Sequence, residues 1–340
     1  MNIIYAISYK SISLINYLIK TNQNILVISS NSNIIKYCNH KKIPIDELHI
    51  HKISIIKNPL RYKAELFRVF ETINPGQILW FTHNNHDSFG FALMRMYSKN
   101  GGIVNWVDLD PVPQQIKFSD IFSEVTSDFI RFLRVILNVL CFRIYFGLRV
   151  SPAKIGVPRN ASLTLLHKHN NKNNFLDLIY LKDQLIGNVT DIKITNSKKS
   201  CILVWAEENY HIKYIEGKVF NQLIKMLSSV FDTVEFKSHP ERPITLDDSN
   251  IINLSSYIPA TEFINIDKVV IGLSSVALVE AVVLGCEVYS LLDIFPDIPN
   301  SDVVDQKYFL DSEISEYKTN NIVYIKTFDQ LEKLCKKSLI

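Results

Sequence analysis

The sequence predicts an α/β protein of two Rossmann-like domains facing a cleft, and three observations carry that expectation. Short β-branched runs alternate with segments of helical length in both halves of the chain, the pattern of stacked βα units on a parallel sheet. A polar stretch rich in Asn and Lys, HKHNNKNN at 167–174, and another at 195–199 interrupt the alternation near the middle. With 340 residues, 47% of them hydrophobic, the chain is long enough for two cores of ordinary size. The expected units are residues 1–170, residues 195–325, and a C-terminal helix over 326–340 that crosses back to the first.

The first unit opens on IIYAIS at 3–8, read as a buried first strand. A helix over 11–21 follows, then a strand at 25–30 and another at 49–53. The series continues with a helix over 58–72, a strand at 77–82, a helix over 88–100 and a strand at 103–108. Asn58 before Pro59 marks a helix start, a capping side chain and then a proline at the first helical position. After the polar stretch the alternation restarts, with strands expected at 200–206, 234–237, 269–272 and 287–291 and helices over 214–231 and 275–284. Strands as apolar as these belong to a parallel sheet covered on both faces.

Composition and motifs exclude several classes of function. The 37 basic and 34 acidic residues leave a formal charge of +3, and no basic block suggests a dedicated nucleic-acid binder. No G-x-G-x-x-G stands in the first βα turn and no G-x-x-x-x-G-K-[ST] occurs, which argues against a dinucleotide dehydrogenase or a P-loop enzyme. The five cysteines (Cys38, Cys141, Cys201, Cys286, Cys335) are widely spaced, so neither a disulfide framework nor a zinc site is indicated. MNIIYAISYK reads as a strand and lacks the features of a signal peptide, so a cytoplasmic location is expected. Residues 129–150, FIRFLRVILNVLCFRIYFGLRV, carry Arg131, Arg134, Arg143 and Arg149 at intervals. This segment suits either peripheral contact with a membrane interface or a core helix with a basic edge.

Two segments after expected strands carry chemistry. In VEFKSHPERP at 234–243, Pro240 pushes His239 into extended geometry, ending the strand and holding the imidazole at the edge of the cleft. There it could donate to a phosphate, although a hydrogen-bonded turn histidine has the same spelling. In VVIGLSSVALVEAVVLGCEVYSL at 269–291, the strand breaks at Gly272 and leads through Ser274 and Ser275 into a helix that Gly285 ends. Glycine there is expected to permit a tight turn. The helix amides and dipole form a site for an anion, and ordinary serine capping is the plainer alternative.

The order His239-Pro240, then Ile258-Pro259-Ala260-Thr261-Glu262, then Ser274-Ser275 resembles the carboxyl half of bacterial sialyltransferases, including lipooligosaccharide α-2,3-sialyltransferases and capsular polysialyltransferases. The resemblance covers roughly residues 200–295. It implies a glycosyltransferase-B scaffold, an HP motif, a Ser-Ser motif and an acidic motif, with neither a metal nor a cofactor. His239, with Pro240 beside it, would meet the CMP phosphate, and Ser274 and Ser275 would hold the phosphate or the sialyl carboxylate. Gly272 lies beside them in the expected donor site. Glu262 and Glu280 could each accept from ribose hydroxyls there, although an exposed helix face explains either as readily, and Glu207 is expected to touch ribose or base or to be solvated.

The resemblance also places the general base in the amino half. The strand at 103–108 ends in Asp108, with Leu109 and Asp110 following, where the family carries its acidic motif. Asp108 is the first choice and Asp110 the second, since Asp-Leu-Asp-Pro replaces paired acids followed by glycine. Asp-x-Asp is also the metal site of single-sheet glycosyltransferase-A enzymes, but this chain shows two sheets. Glu207 and Glu208 resemble the acidic motif in letters but fall in the nucleotide half. His83, Asn84 and His86 follow a strand and could line an acceptor pocket. The expected partners are a nucleotide-sugar donor and a glycan or lipid-linked oligosaccharide acceptor. The rival expectations are another CMP- or UDP-sugar transferase, a nucleotide-sugar epimerase and a non-enzymatic glycan-assembly protein.

Overall fold

The computed structural model of the chain describes residues 1–9, 11–21, 23–49, 58–74, 76–82, 88–108, 162–165, 200–205, 217–295, 298, 303–304, 306–308, 310–311 and 321–337. The chain divides into two compact units, Met1–Gly187 and Asn188–Ile340.

The first unit runs β1 (Asn2–Tyr5), α1 (Ser11–Lys20), β2 (Ile25–Ser29), α2 (Ser32–Lys41), β3 (Ile45–Glu47), α3 (Pro59–Thr72), β4 (Ile78–Thr82), α4 (Ser88–Lys99), β5 (Ile103–Asp108) and β6 (Ser162–Leu165). Its six strands lie in the order β3-β2-β1-β4-β5-β6. Every pairing is parallel. All four residues of β1 are buried, as a central strand covered on both faces requires. Asn58 caps α3 as expected, its Oδ1 accepting from the amide of Arg61 at 3.3 Å, with Pro59 in the first turn.

Residues 50–53 of the strand expected at 49–53 lie outside the described residues. The structure has a strand at 45–47 that was not expected, and it is preceded by α2, which the periodicity did not reveal. This short helix buries only Ile34, Tyr37 and Cys38, too few apolar positions to stand out, and it is secured locally instead. Asn31 Oδ1 accepts from the amides of Asn33 and Ile34, and Lys42 closes the other end in the left-handed region at φ 56°.

The second unit contains β7 (Ser200–Val204), α5 (Lys218–Val230), β8 (Thr233–Lys237), β9 (Ile251–Asn253), a 3-10 turn (Ala260–Glu262), β10 (Lys268–Gly272), α6 (Val276–Val283), β11 (Glu287–Ser290), β12 (Val323–Tyr324) and α7 (Phe328–Lys337). Its strand order is β12-β11-β10-β7-β8-β9, again parallel throughout. Counted from β7, this is the same doubly wound order as in the first sheet. The expected fold class of two Rossmann-like α/β domains is therefore the observed one.

Packing explains why these segments hold. Helix α5 buries Phe220, Leu223, Ile224 and Leu227, a single stripe at helical spacing. Each such side chain contributes roughly 1.5–3 kcal/mol when fully removed from water. Helix α7 packs against α5 and buries Leu331 and Cys335 in the second core. It therefore belongs to the second unit. Cys38, Cys201, Cys286 and Cys335 are free and buried. Burial pushes the thiols of Cys38, Cys286 and Cys335 up to about 12 and raises that of Cys201 strongly, so none is poised for reaction at neutral pH. Among the described residues no helix is long and apolar enough to cross a membrane, and residues 129–150 lie outside them.

Candidate functional site

In an open parallel sheet, ligands gather beyond the carboxyl ends of the strands where the strand order reverses. In the second unit that point lies between β7 and β10, with β8 on the other side of β7. Neighbouring strands are about 4.8 Å apart, which leaves the ends of β8 and β10 roughly 10 Å apart. His239 follows β8, and Ser274 and Ser275 follow β10.

Residues 239–242 form a tight turn. The amide of Arg242 donates to the carbonyl of His239 at 3.3 Å, with Pro240 at the second position, where its fixed φ favours the turn. Pro240 is buried and His239 half-buried. The amide of Glu241 donates to Nδ1 of His239 at 3.2 Å. A nitrogen that accepts carries no proton, so the neutral ring holds its hydrogen on Nε2, as a donor. The turn thus fixes both the place and the tautomer of the imidazole.

Ser274 and Ser275 divide the work at the start of α6. Ser275 is the N-cap in extended geometry, and its Oγ accepts from the amide of Ala277 at 3.3 Å. That is ordinary capping. Ser274 Oγ is buried and has no hydrogen-bond partner among the described residues. A buried hydroxyl left unpaired costs about 1–3 kcal/mol, and here it stands where the helix dipole favours negative charge.

Gly272 serves a purpose other than the expected turn. It is the last residue of β10, in register with Val204, and its carbonyl accepts from the amide of Leu291 at 2.8 Å. A Cβ at this position would lie 2.7 Å from the Val204 carbonyl oxygen and 3.2 Å from Leu278 Cδ2. Glycine therefore permits the close approach of β7 and α6 beneath the serines. Gly272→Ala is expected to destabilise the chain by roughly 1–3 kcal/mol, read as a lowered urea midpoint with unchanged slope. Gly285, at φ 83°, ends α6 as expected.

The remaining expected residues are spread more widely. Glu262 closes the 3-10 turn, which packs against α6, and Glu280 lies half-buried within α6 itself. Asp108 is the last residue of β5, its backbone opposite Leu165 of β6 at the carboxyl edge of the first sheet. His83, Asn84 and His86 follow β4 in the chain, which neighbours β1 at the reversal of that sheet. These three, with Asp110 and Glu207, lie outside the described residues.

One residue of this region escaped the sequence reading. Lys237, the last residue of β8, is only 3% exposed, and its Nζ donates to the carbonyls of Ser238 at 2.8 Å and Ser256 at 3.0 Å. Burial lowers its pKa to about 8. The available signal was a lysine ending a strand of a sheet covered on both faces, but its spelling matches that of a solvated strand end.

No protein-family model matches the chain, and no curated protein matches it in sequence. Among solved structures it is similar to the glycotransferase of kitacinnamycin, with 10% identity and a TM-score of 0.49 over 99% of this chain and 92% of that one. It is similar to a spinosyn rhamnosyltransferase complexed with thymidine diphosphate, with 10% identity and a TM-score of 0.47 over 100% of this chain and 96% of that one. It is also similar to a UDP-GlcNAc 2-epimerase from Neisseria meningitidis bound to UDP-GlcNAc, with 12% identity and a TM-score of 0.45 over 100% of this chain and 99% of that one.

Proposed function

We propose that the chain is an inverting, metal-independent glycosyltransferase of the glycosyltransferase-B type that moves sialic acid from CMP-sialic acid onto a bacterial surface glycan. One observation carries the reading: an oriented imidazole after β8 and an unpaired buried hydroxyl at a helix start after β10 flank β7 at the reversal of one sheet. Both suit an anionic group that bears several acceptor oxygens, as a nucleotide phosphate does.

In this mechanism an acceptor hydroxyl attacks the anomeric carbon of the sialyl donor while Asp108 takes its proton. The bond to CMP breaks as the new bond forms. His239 Nε2–H, the Ser274 hydroxyl and the start of α6 stabilise the charge that grows on the departing phosphate, so no metal is needed for that task.

The same groups address a phosphate and leave the base unread, which keeps a UDP-sugar transferase or a nucleotide-sugar epimerase as the second reading. Labelled CMP-sialic acid and labelled UDP-N-acetylglucosamine, each incubated with and without a bacterial surface oligosaccharide, separate the two. The expected result is transfer from CMP-sialic acid that requires the oligosaccharide and persists in EDTA. Conversion of the UDP-sugar without an acceptor, or loss of transfer in EDTA with recovery on adding manganese, overturns the proposal.

A further inference from the structure

Lys237 is unusual for a residue so thoroughly removed from solvent. A methionine of similar length would fill the space at the end of β8 without bringing a charge, and a buried ammonium is expensive unless its environment compensates it. The two bonds it makes link the end of β8 to the loop after β9, beyond the backbone bond that the Leu254 amide already makes to the Phe236 carbonyl at 2.8 Å. Ser238 carries the peptide that leads into His239, so a bond to its carbonyl fixes the plane of that peptide. Ser256 belongs to the loop that follows β9 and leads into the Ala260–Glu262 turn, which packs against α6. The backbone of Lys237 is held as well, its carbonyl accepting from the amide of Trp205 at the end of β7 at 2.9 Å. Trp205 in turn is wedged between Phe220 and Phe295, with ring centroids at 4.9 and 6.0 Å. One ammonium thus connects the imidazole-bearing turn to the loop that supports the serine-bearing helix.

We propose that Lys237 is a positioning residue of the nucleotide site: its ammonium sets the spacing between the His239 turn and the start of α6, and so prepares both for one anion. The role rests on the nucleotide reading above and extends it to a residue that the HP and Ser-Ser motifs do not include. A phosphate arriving within reach of the imidazole also returns negative charge to the neighbourhood of a cation that burial has desolvated. Binding and protonation of Lys237 therefore favour each other. With the pKa lowered to about 8, the ammonium is present below that pH and is lost above it. Among the described residues, the other charged and titratable groups on the segments that meet it are His239, Glu241 and Arg242 on its own turn, Tyr257 on the tethered loop, and Glu235, paired with Lys268 of β10.

The test uses the full chain and calorimetric binding of CMP. Wild type is expected to bind about tenfold more weakly at pH 9 than at pH 7, since deprotonation near pH 8 removes the clamp. Lys237→Met, shown to be folded, is expected to bind at least about tenfold more weakly at pH 7 and to lose the pH dependence. A wild type that binds CMP with constant affinity over this range overturns the role of Lys237 alone, and so does a variant that binds as wild type does. The wild-type titration needs no variant, so a misfolded Lys237→Met leaves the proposal open to refutation. A wild type that binds neither CMP nor UDP overturns the nucleotide reading and this role together.

Discussion

Asp108→Asn is expected to reduce sialyl transfer by about 10²–10⁴-fold while leaving the fold and CMP binding as they are. The substitution keeps the size and polarity of the side chain at the end of β5, so the parallel pairing with β6 has no reason to change. It removes the ability to take a proton from the acceptor hydroxyl, which matters only as the new bond forms. Its signature is therefore a fall in kcat with little change in the KM for the donor. The measurement is transfer kinetics beside calorimetric CMP binding on protein with an unchanged melting temperature. Transfer at the wild-type rate would move the role of base to Asp110 or Glu207.

His239→Ala is expected to weaken CMP binding or turnover at least about tenfold, because a charge-assisted hydrogen bond to phosphate is worth about 1.5–3 kcal/mol. The turn at 239–242 should survive, since Pro240 and the bond from the Arg242 amide to the 239 carbonyl do not depend on the imidazole. The melting temperature without ligand should accordingly change little. Ser274→Ala should act in the same direction and less strongly, and Ser275→Ala should act chiefly through the lost helix cap. A folded His239→Ala that binds CMP and transfers sugar as the wild type does would misplace the nucleotide site.

The parts of the fold that sequence alone revealed are those with strong hydrophobic periodicity. Strands such as β1, β4 and β10 are nearly continuous apolar runs, because helices cover both faces of each sheet. Helix α2 and strands β3, β6, β9 and β12 were missed, since they are short and their identity comes from the strands and caps they meet. At the candidate site, the spelling His-Pro announced a strand end, and the structure adds that the Glu241 amide selects the ring tautomer. Ser274 and Ser275 read alike in sequence, and only burial and partners distinguish a capping hydroxyl from an unpaired one. Lys237 was invisible for a related reason, because neither periodicity nor spelling shows that an ammonium at a strand end is withheld from water.

The repeated strand order bears on how this chain can change over generations. Each parallel sheet reverses its strand order within itself and closes its own apolar cluster, one built around Tyr5, Leu66 and Phe81 and the other around Leu203, Trp205 and Leu278. Substitutions that share no partners add their energies almost independently. Substitutions around Tyr5, Leu66 and Phe81 can therefore accumulate at the expense of the first cluster alone, while the arrangement around His239 and Ser274 is inherited intact.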